Sequence, residues 1–305
     1  MATAFITHAD CALHDMGAHH PECPQRLGAI NDRLIASGLD AYLEFHDAPL
    51  ATDAQILRAH SAAYLGELRA AVPERGIHHL DPDTAIGPRT LDAALRAAGA
   101  GVLATDLVVS GRADNAFCAV RPPGHHACRS RAMGFCLFNN IAIAALHALE
   151  AHGLGRVAVV DFDVHHGNGT EDILGEDARV MMASTFQHPF YPYSGDREAP
   201  EHWVNVPVRA GLRGEALREI VTAQWLPALR RFEPQMIFIS AGFDAHLEDD
   251  MASCALVEAD FAWVTGQLRA LECANGRIVS MLEGGYALSA LGRSAVEHVR
   301  ALADL

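Results

Sequence analysis

The fourteen residues from Val157 to Thr170 (VAVVDFDVHHGNGT) constrain this chain more than any other stretch. Val157 to Val160 is an unbroken apolar, largely β-branched run, the pattern of a strand buried on both faces inside a parallel sheet. Polar residues follow at once. Side chains alternate across a strand, so Asp161, Asp163 and His165 fall on one face and Phe162 and Val164 on the other. In open α/β sheets ligands bind beyond the carboxyl ends of the strands, and Gly167-Asn168-Gly169 lets the backbone approach such a site closely. Two buried carboxylates on one face repel each other unless a cation lies between them. The stretch reads as half of a metal site; its plainer reading is a strand end whose acids cap the next helix.

A second buried run, Met236 to Ile239, leads into SAGFDAH (Ser240 to His246) and brings Asp244 to an equivalent strand end. Asp163, His165 and Asp244 together make a set of one histidine and two carboxylates with a coordination position left open, the mark of a catalytic rather than a structural zinc. No two cysteines stand at CxxC spacing to argue for a structural site.

Two further motifs supply groups for proton transfer. A strand expected over Ala116 to Val120 ends in RPPGHHACRSRAMGF (Arg121 to Phe135), where Pro122-Pro123-Gly124 blocks both helix and ladder. His125 and His126 therefore sit on a constrained loop at a strand end, and neutral imidazoles there suit general base and general acid work on water activated by a metal. The pairs His19-His20 and His78-His79 lack that setting and read as surface or satisfied core residues. Ile278 to Leu282 is the last buried run, ending in Glu283-Gly284-Gly285-Tyr286. The two glycines allow a tight turn that presents the phenol to the same mouth; otherwise Tyr286 merely starts the last helix.

The remaining segments alternate. A strand at Phe5 to Thr7 and an irregular loop from Asp10 to His20 precede helices over Pro24 to Ser37, Asp53 to His60 and Ala62 to Val72, with Gly38 as a stop signal. Pro73 to Pro88 reads as a long loop at a binding rim, and Phe186 to Gly195 as a rim or pocket wall. Helices are expected over Leu91 to Val109, Ile141 to His152, Glu215 to Arg231 and Leu256 to Leu271, and a strand over Val180 to Ser184. With 305 residues, 50% hydrophobic and 20% charged, the chain can bury a large core, and no linker divides it, so one domain over 1–305 is expected. The stretch from Met1 to Asp15 has neither a basic nor a long apolar region and no run approaches 18 apolar residues, so secretion and membrane spanning are not expected, and seven scattered cysteines suit a reducing cytoplasm. A net charge of −15 disfavours direct nucleic-acid binding and is compatible with a cationic substrate.

Taken in order, RPPGHHA, DFDVHHGNGT, SAGFDAH and LEGGY resemble the zinc-dependent histone deacetylase family, with most likeness to its class II and bacterial amidohydrolase branch. HPECPQR and HSAAYL resemble secondary signatures of that family, so the likeness spans nearly the whole chain. It implies a three-layer, arginase-like α/β fold with a mainly parallel eight-stranded sheet flanked by helices. It further implies zinc on Asp163, His165 and Asp244, His125 and His126 as the catalytic pair, and Asp161 as the acid that orients His125. Tyr286 would hydrogen-bond the substrate carbonyl, Gly134 and Phe135 would wall an acyl-lysine tunnel, and Asp161, Asp163 and Ser184 would help hold a structural potassium ion. Asn168 stands where class I members carry an acid, which leaves His126 with less support as a cation.

The reaction so implied is hydrolysis of acetyl-lysine in proteins or peptides. The alternative is acetylpolyamine hydrolysis, which in the family uses a carboxylate gatekeeper; counting from Asp244, that position is Met251, with Glu248, Asp249 and Asp250 one slip away. A dinuclear manganese, arginase-like enzyme would leave His125, His126 and Tyr286 without roles. A non-catalytic module of the same fold would be expected to have lost a ligand or Tyr286. Oligomeric state is left open by the sequence.

Overall fold

The computed structural model describes residues 2–196 and 199–305. Its main sheet has eight strands in the order β2 (Leu43–Asp47), β1 (Thr3–Thr7), β5 (Asn115–Cys118), β10 (Ile278–Leu282), β9 (Ile237–Ala241), β6 (Val157–Asp161), β7 (Val180–Gln187) and β8 (Val204–Val208). Every neighbouring pair is parallel, so all eight carboxyl ends lie along one edge. Within the stretch expected as a rim loop, β3 (His78–His79) and β4 (Ala85–Ile86) pair as a minimal antiparallel hairpin.

Alternation along the strands divides the core in two. Val157 and Val159 face a layer built from α2 (Asp53–Ala59), α3 (Ala62–Ala71), α4 (Thr90–Val109), α5 (Asn140–Glu150) and α6 (Asn168–Leu174). Ala158 and Val160 face the other, built from α1 (Gln25–Ser37), α7 (Gly214–Ile220), α8 (Leu226–Phe232), α9 (Glu258–Arg269) and α10 (Leu288–Ala303). Both faces of the sheet are thus dry, which is why its central strands read as continuous apolar runs. α7 and α8 are joined by a single π-helical turn, Val221–Trp225, so the one helix expected over Glu215 to Arg231 is continuous but locally widened around the buried Trp225. Gly38, at φ +68°, ends α1 and donates its N–H to the Ile35 carbonyl.

Three expectations need correction. The edge strands β2 and β8 were not legible as strands, and the Asp10 to His20 loop includes a short 3-10 turn, Ala9–Leu13. β6 stops at Asp161, so Asp163 and His165 lie in the turn beyond it. Alternation nevertheless persists through that turn, since Phe162 and Val164 join the same core layer as Val160. Among the described residues no helix is long and apolar enough to cross a membrane.

Candidate active site

Four strands adjacent in the sheet, β5, β10, β9 and β6, deliver the four motifs to one place. His125 and His126 follow β5, Tyr286 follows β10, Asp244 follows β9, and Asp163 and His165 follow β6. Residues far apart in sequence therefore meet because parallel strands share one carboxyl edge.

Asp163, His165 and Asp244 are all buried, and their ligand atoms lie within 4.8 Å of one another. His165 Nδ1 is 3.0 Å from Asp163 Oδ1 and 3.3 Å from Asp244 Oδ2. Asp244 Oδ2 is a buried oxygen with no hydrogen-bond partner. Burial and the neighbouring Asp163 carboxylate push Asp244 up to about 6. Burial acts the same way on Asp163, but His125 and His165 outweigh it and hold that carboxyl below its usual range. Two carboxylates driven apart in this way, around an unpartnered buried oxygen, fit a divalent cation between them. Gly284 makes room for the cluster: a Cβ there would lie 2.0 Å from Asp244 Oδ2, and its N–H donates to Asp163 Oδ2 at 2.9 Å.

A second grouping, Asp106 with His147 and His152, is of the right type but closed by its own bonds. Both histidines reach Asp106 Oδ1 through Nε2, at 2.8 and 2.6 Å. Arg58 lies 2.7 Å from His147 Nδ1, and an arginine can only donate, so the His147 proton is on Nε2, where a metal would need a lone pair.

The two motif histidines are fixed by different partners. His125 Nδ1 lies 2.9 Å from Asp161 Oδ2, and His126 Nδ1 lies 2.8 Å from Asn168 Oδ1. Burial disfavours charge on both rings. Asp163 and Asp161 overcome it at His125, whose pKa is raised well above the ordinary value, whereas His125 and His165 reinforce it at His126, which is held well below. Tyr286 is partly buried, and the loss of hydration around its hydroxyl drives its pKa well up and keeps the phenol protonated.

Above these groups opens a cavity of about 270 Å³ lined by His126, His165, Gly134, Phe135, Met251 and Tyr286, together with Asp83, Phe190 and Tyr191. All three pocket residues expected from sequence are in it, and Phe135 stands edge-on to Tyr286 with ring centroids 5.9 Å apart. Ser184 sits opposite Asp161 in the neighbouring strand, but its hydroxyl bonds Asn205 Oδ1 at 2.8 Å.

Sequence reasoning missed the supports beneath the site. Arg121 grips the buried Glu22 carboxylate with both ends of its fork, at 2.5 and 2.6 Å. Arg26 donates to the carbonyls of Glu283 (2.5 Å) and Gly285 (2.7 Å), and its guanidinium lies over the Tyr286 ring at 4.9 Å. The HPECPQR signature thereby ties the histidine loop to the tyrosine loop. Glu283, pushed up to about 7 by burial, accepts the N–H groups of Gly124 and His125. From HSAAYL, His60 Nε2 accepts the Asn139 N–H, and Nδ1 lies 3.0 Å from the Cys128 carbonyl. A signal existed in each case, a charged or polar residue inside an otherwise recognisable motif. The rim residues Asp83, Phe190 and Tyr191 belong to the two stretches read as rim, though no residue there was singled out.

A model of the histone deacetylase domain matches residues 20–302. The chain belongs to the histone deacetylase family. It is 38% identical to the histone deacetylase-like amidohydrolase of Pseudomonas aeruginosa, over 93% of this chain and 81% of that protein. It is 33% identical to the human polyamine deacetylase HDAC10, over 99% of this chain and 48% of that protein. The solved HDA15 HD domain superposes with a TM-score of 0.94 at 32% identity, covering 99% of this chain and 88% of that one. The histone deacetylase fold and the reaction class, a deacetylase or amidohydrolase, follow from these matches.

Proposed function

We propose that this histone deacetylase family member is a zinc-dependent deacylase that hydrolyses the amide of acyl-lysine side chains in peptides or proteins. The observation that carries the reading is the cavity itself, which is lined by the apolar side chains of Phe135, Phe190 and Met251 and by the polar groups of His126, His165 and Tyr286. That shape suits an aliphatic stem ending in an amide. Asp163, His165 and Asp244 would hold the zinc, which when bound would supply Lewis-acid polarisation of the carbonyl and acidify water.

The chain's own groups do the rest. Asn168 Oδ1 only accepts, so His126 Nδ1 carries the proton and Nε2 presents the lone pair that takes a proton from the attacking water. Tyr286 donates its hydroxyl to the oxyanion as it develops. His125, oriented by Asp161, lies ring to ring 4.0 Å from His126, and the pair returns a proton to the leaving amine. The apolar side chains hold the stem and keep bulk water away from the reacting groups.

Acetylpolyamine hydrolysis is the second reading, and Asp83 favours it as a carboxylate in the pocket wall. Against it, Met251 stands in the gatekeeper position and lines the cavity, and Asp83 already accepts from Gly134 N at 3.1 Å and from the Thr84 hydroxyl at 2.8 Å. A manganese ureohydrolase gains no support, because His126 and Tyr286 both line the cavity. A structural potassium ion beside Asp161, Asp163 and Ser184 completes the proposal; the adjacency of Asp161 and Ser184 favours it, and the bond from the Ser184 hydroxyl to Asn205 counts against it. A substrate panel of acetyl-lysine peptides, longer acyl-lysines and acetylated polyamines tests the reading. Higher kcat/KM on acyl-lysine supports it, and a preference for acetylpolyamines overturns the substrate class.

A further inference from the structure

Asp249 lies between the SAGFDAH and LEGGY motifs, in neither of them, and is only 5% exposed. A carboxylate that deep must have donors. Its donors are backbone N–H groups from two separate segments: Oδ2 accepts from Tyr286 at 2.6 Å and Ala287 at 2.9 Å, and Oδ1 accepts from Met251 at 3.0 Å. Ala287 is the N-cap of α10, a helix of 16 residues, so the negative charge also sits at the positive end of that helix dipole. Met251 and Tyr286 both line the acyl cavity. One buried carboxylate therefore joins two residues that line the pocket, Met251 and the hydroxyl-bearing Tyr286.

We propose that Asp249 is a positioning residue for the deacylation, setting Tyr286 relative to the substrate carbonyl and linking that position to the Met251 wall. The inference rests on the deacylase reading with Tyr286 as oxyanion donor. Arg26 holds the same tyrosine from the other side, through the Gly285 carbonyl and the ring face. Asp249 alone among these supports also bonds the gatekeeper segment, so it makes turnover and acyl-chain choice respond together.

The test is a double-mutant cycle on an acetyl-lysine peptide, with zinc content measured for each variant. Asp249→Asn exchanges one acceptor oxygen for a donor and must release either Met251 or the Tyr286 and Ala287 N–H groups. It should lower kcat by about 10- to 100-fold, the scale of a displacement on the order of 1 Å at a reacting centre, with zinc retained. In a Tyr286→Phe background the same change should cost less than about threefold, because the hydroxyl being positioned is already gone. Asp249→Glu keeps the charge at the helix start while moving its oxygens; it should show the same loss and the same non-additivity, and it serves if the asparagine variant does not fold. Longer acyl-lysines should gain on acetyl-lysine in both variants as the Met251 wall loosens. An unchanged kcat, or equal losses with and without the Tyr286 hydroxyl, overturns the proposal while leaving the deacylase reading standing. If Tyr286→Phe itself keeps full turnover, the oxyanion role fails, and this inference with it.

Discussion

His126 Nδ1 lies 2.8 Å from Asn168 Oδ1, an uncharged acceptor. An amide oxygen fixes the tautomer but supports an imidazolium less than an anion would, and burial beside His125 and His165 holds the pKa of His126 well below its ordinary value. Asn168→Asp places an anion there and raises that pKa. The acid limb of the kcat/KM profile on acetyl-lysine peptide should move to higher pH by about one to three pH units. An acid limb that stays in place removes His126 from the proton transfer.

Tyr286→Phe removes a hydroxyl whose burial keeps it protonated. Turnover should fall by about two to three orders of magnitude, with fold and zinc content preserved. Unchanged turnover would reduce Tyr286 to a residue preceding α10.

Met251 lines the same cavity as Phe135 and offers a thioether where a polyamine enzyme needs an anion. Met251→Glu should shift the ratio of kcat/KM for acetylspermidine over acetyl-lysine peptide upward by about tenfold, the scale of one charge-assisted hydrogen bond. If wild type already prefers the polyamine and Asp83→Asn reverses this, the gate is Asp83.

Much of this site was legible because each motif breaks an apolar run at a strand end. Val157 to Val160 read as a buried strand, which placed the polar residues after it at the carboxyl edge. Asp163, His165 and Asp244 meet as expected, while β6 ends before the first two because its ladder stops at Asp161. β2 (LEFHD) and β8 (VNVPV) escaped detection because an edge strand is half exposed, so charged side chains and Pro207 are tolerated. The supporting contacts of Glu22, Arg26 and Asp249, the last named from sequence only as a possible gatekeeper, escaped for another reason. Their sequence neighbours say nothing of partners that lie 99, 259 and 37 positions away, such as Arg121, Gly285 and Tyr286.

Three buried histidines away from the pocket make stability depend on pH. Burial, the largest influence on each, lowers His14 and His60 to about 4 and His298 to about 3, against about 6.5 when unfolded. A depressed folded-state pKa means the unfolded chain binds more protons between the two values. The stability these residues contribute is present above about pH 6.5 and is lost as pH falls towards 4 and 3. From these three histidines alone the unfolded state near pH 5 holds about three more protons, a slope of up to about 4 kcal/mol per pH unit, which Asp244 and Glu283, raised to about 6 and about 7 in the folded chain, partly offset. Glu22, held near 2 by Arg121 against its burial, adds a further loss below about pH 4.5. Urea unfolding at pH 7, 6 and 5 checks this, and equal stability at pH 7 and 5 contradicts it.

The central claim is that Asp163, His165 and Asp244 hold one catalytic zinc. Metal content and acetate release from an acetyl-lysine peptide, measured side by side for wild type and Asp244→Ala, test it most directly. One zinc per chain with turnover in the wild type, and loss of both in a variant that keeps its circular dichroism spectrum, is the result predicted. Full zinc content together with full turnover in Asp244→Ala would contradict it.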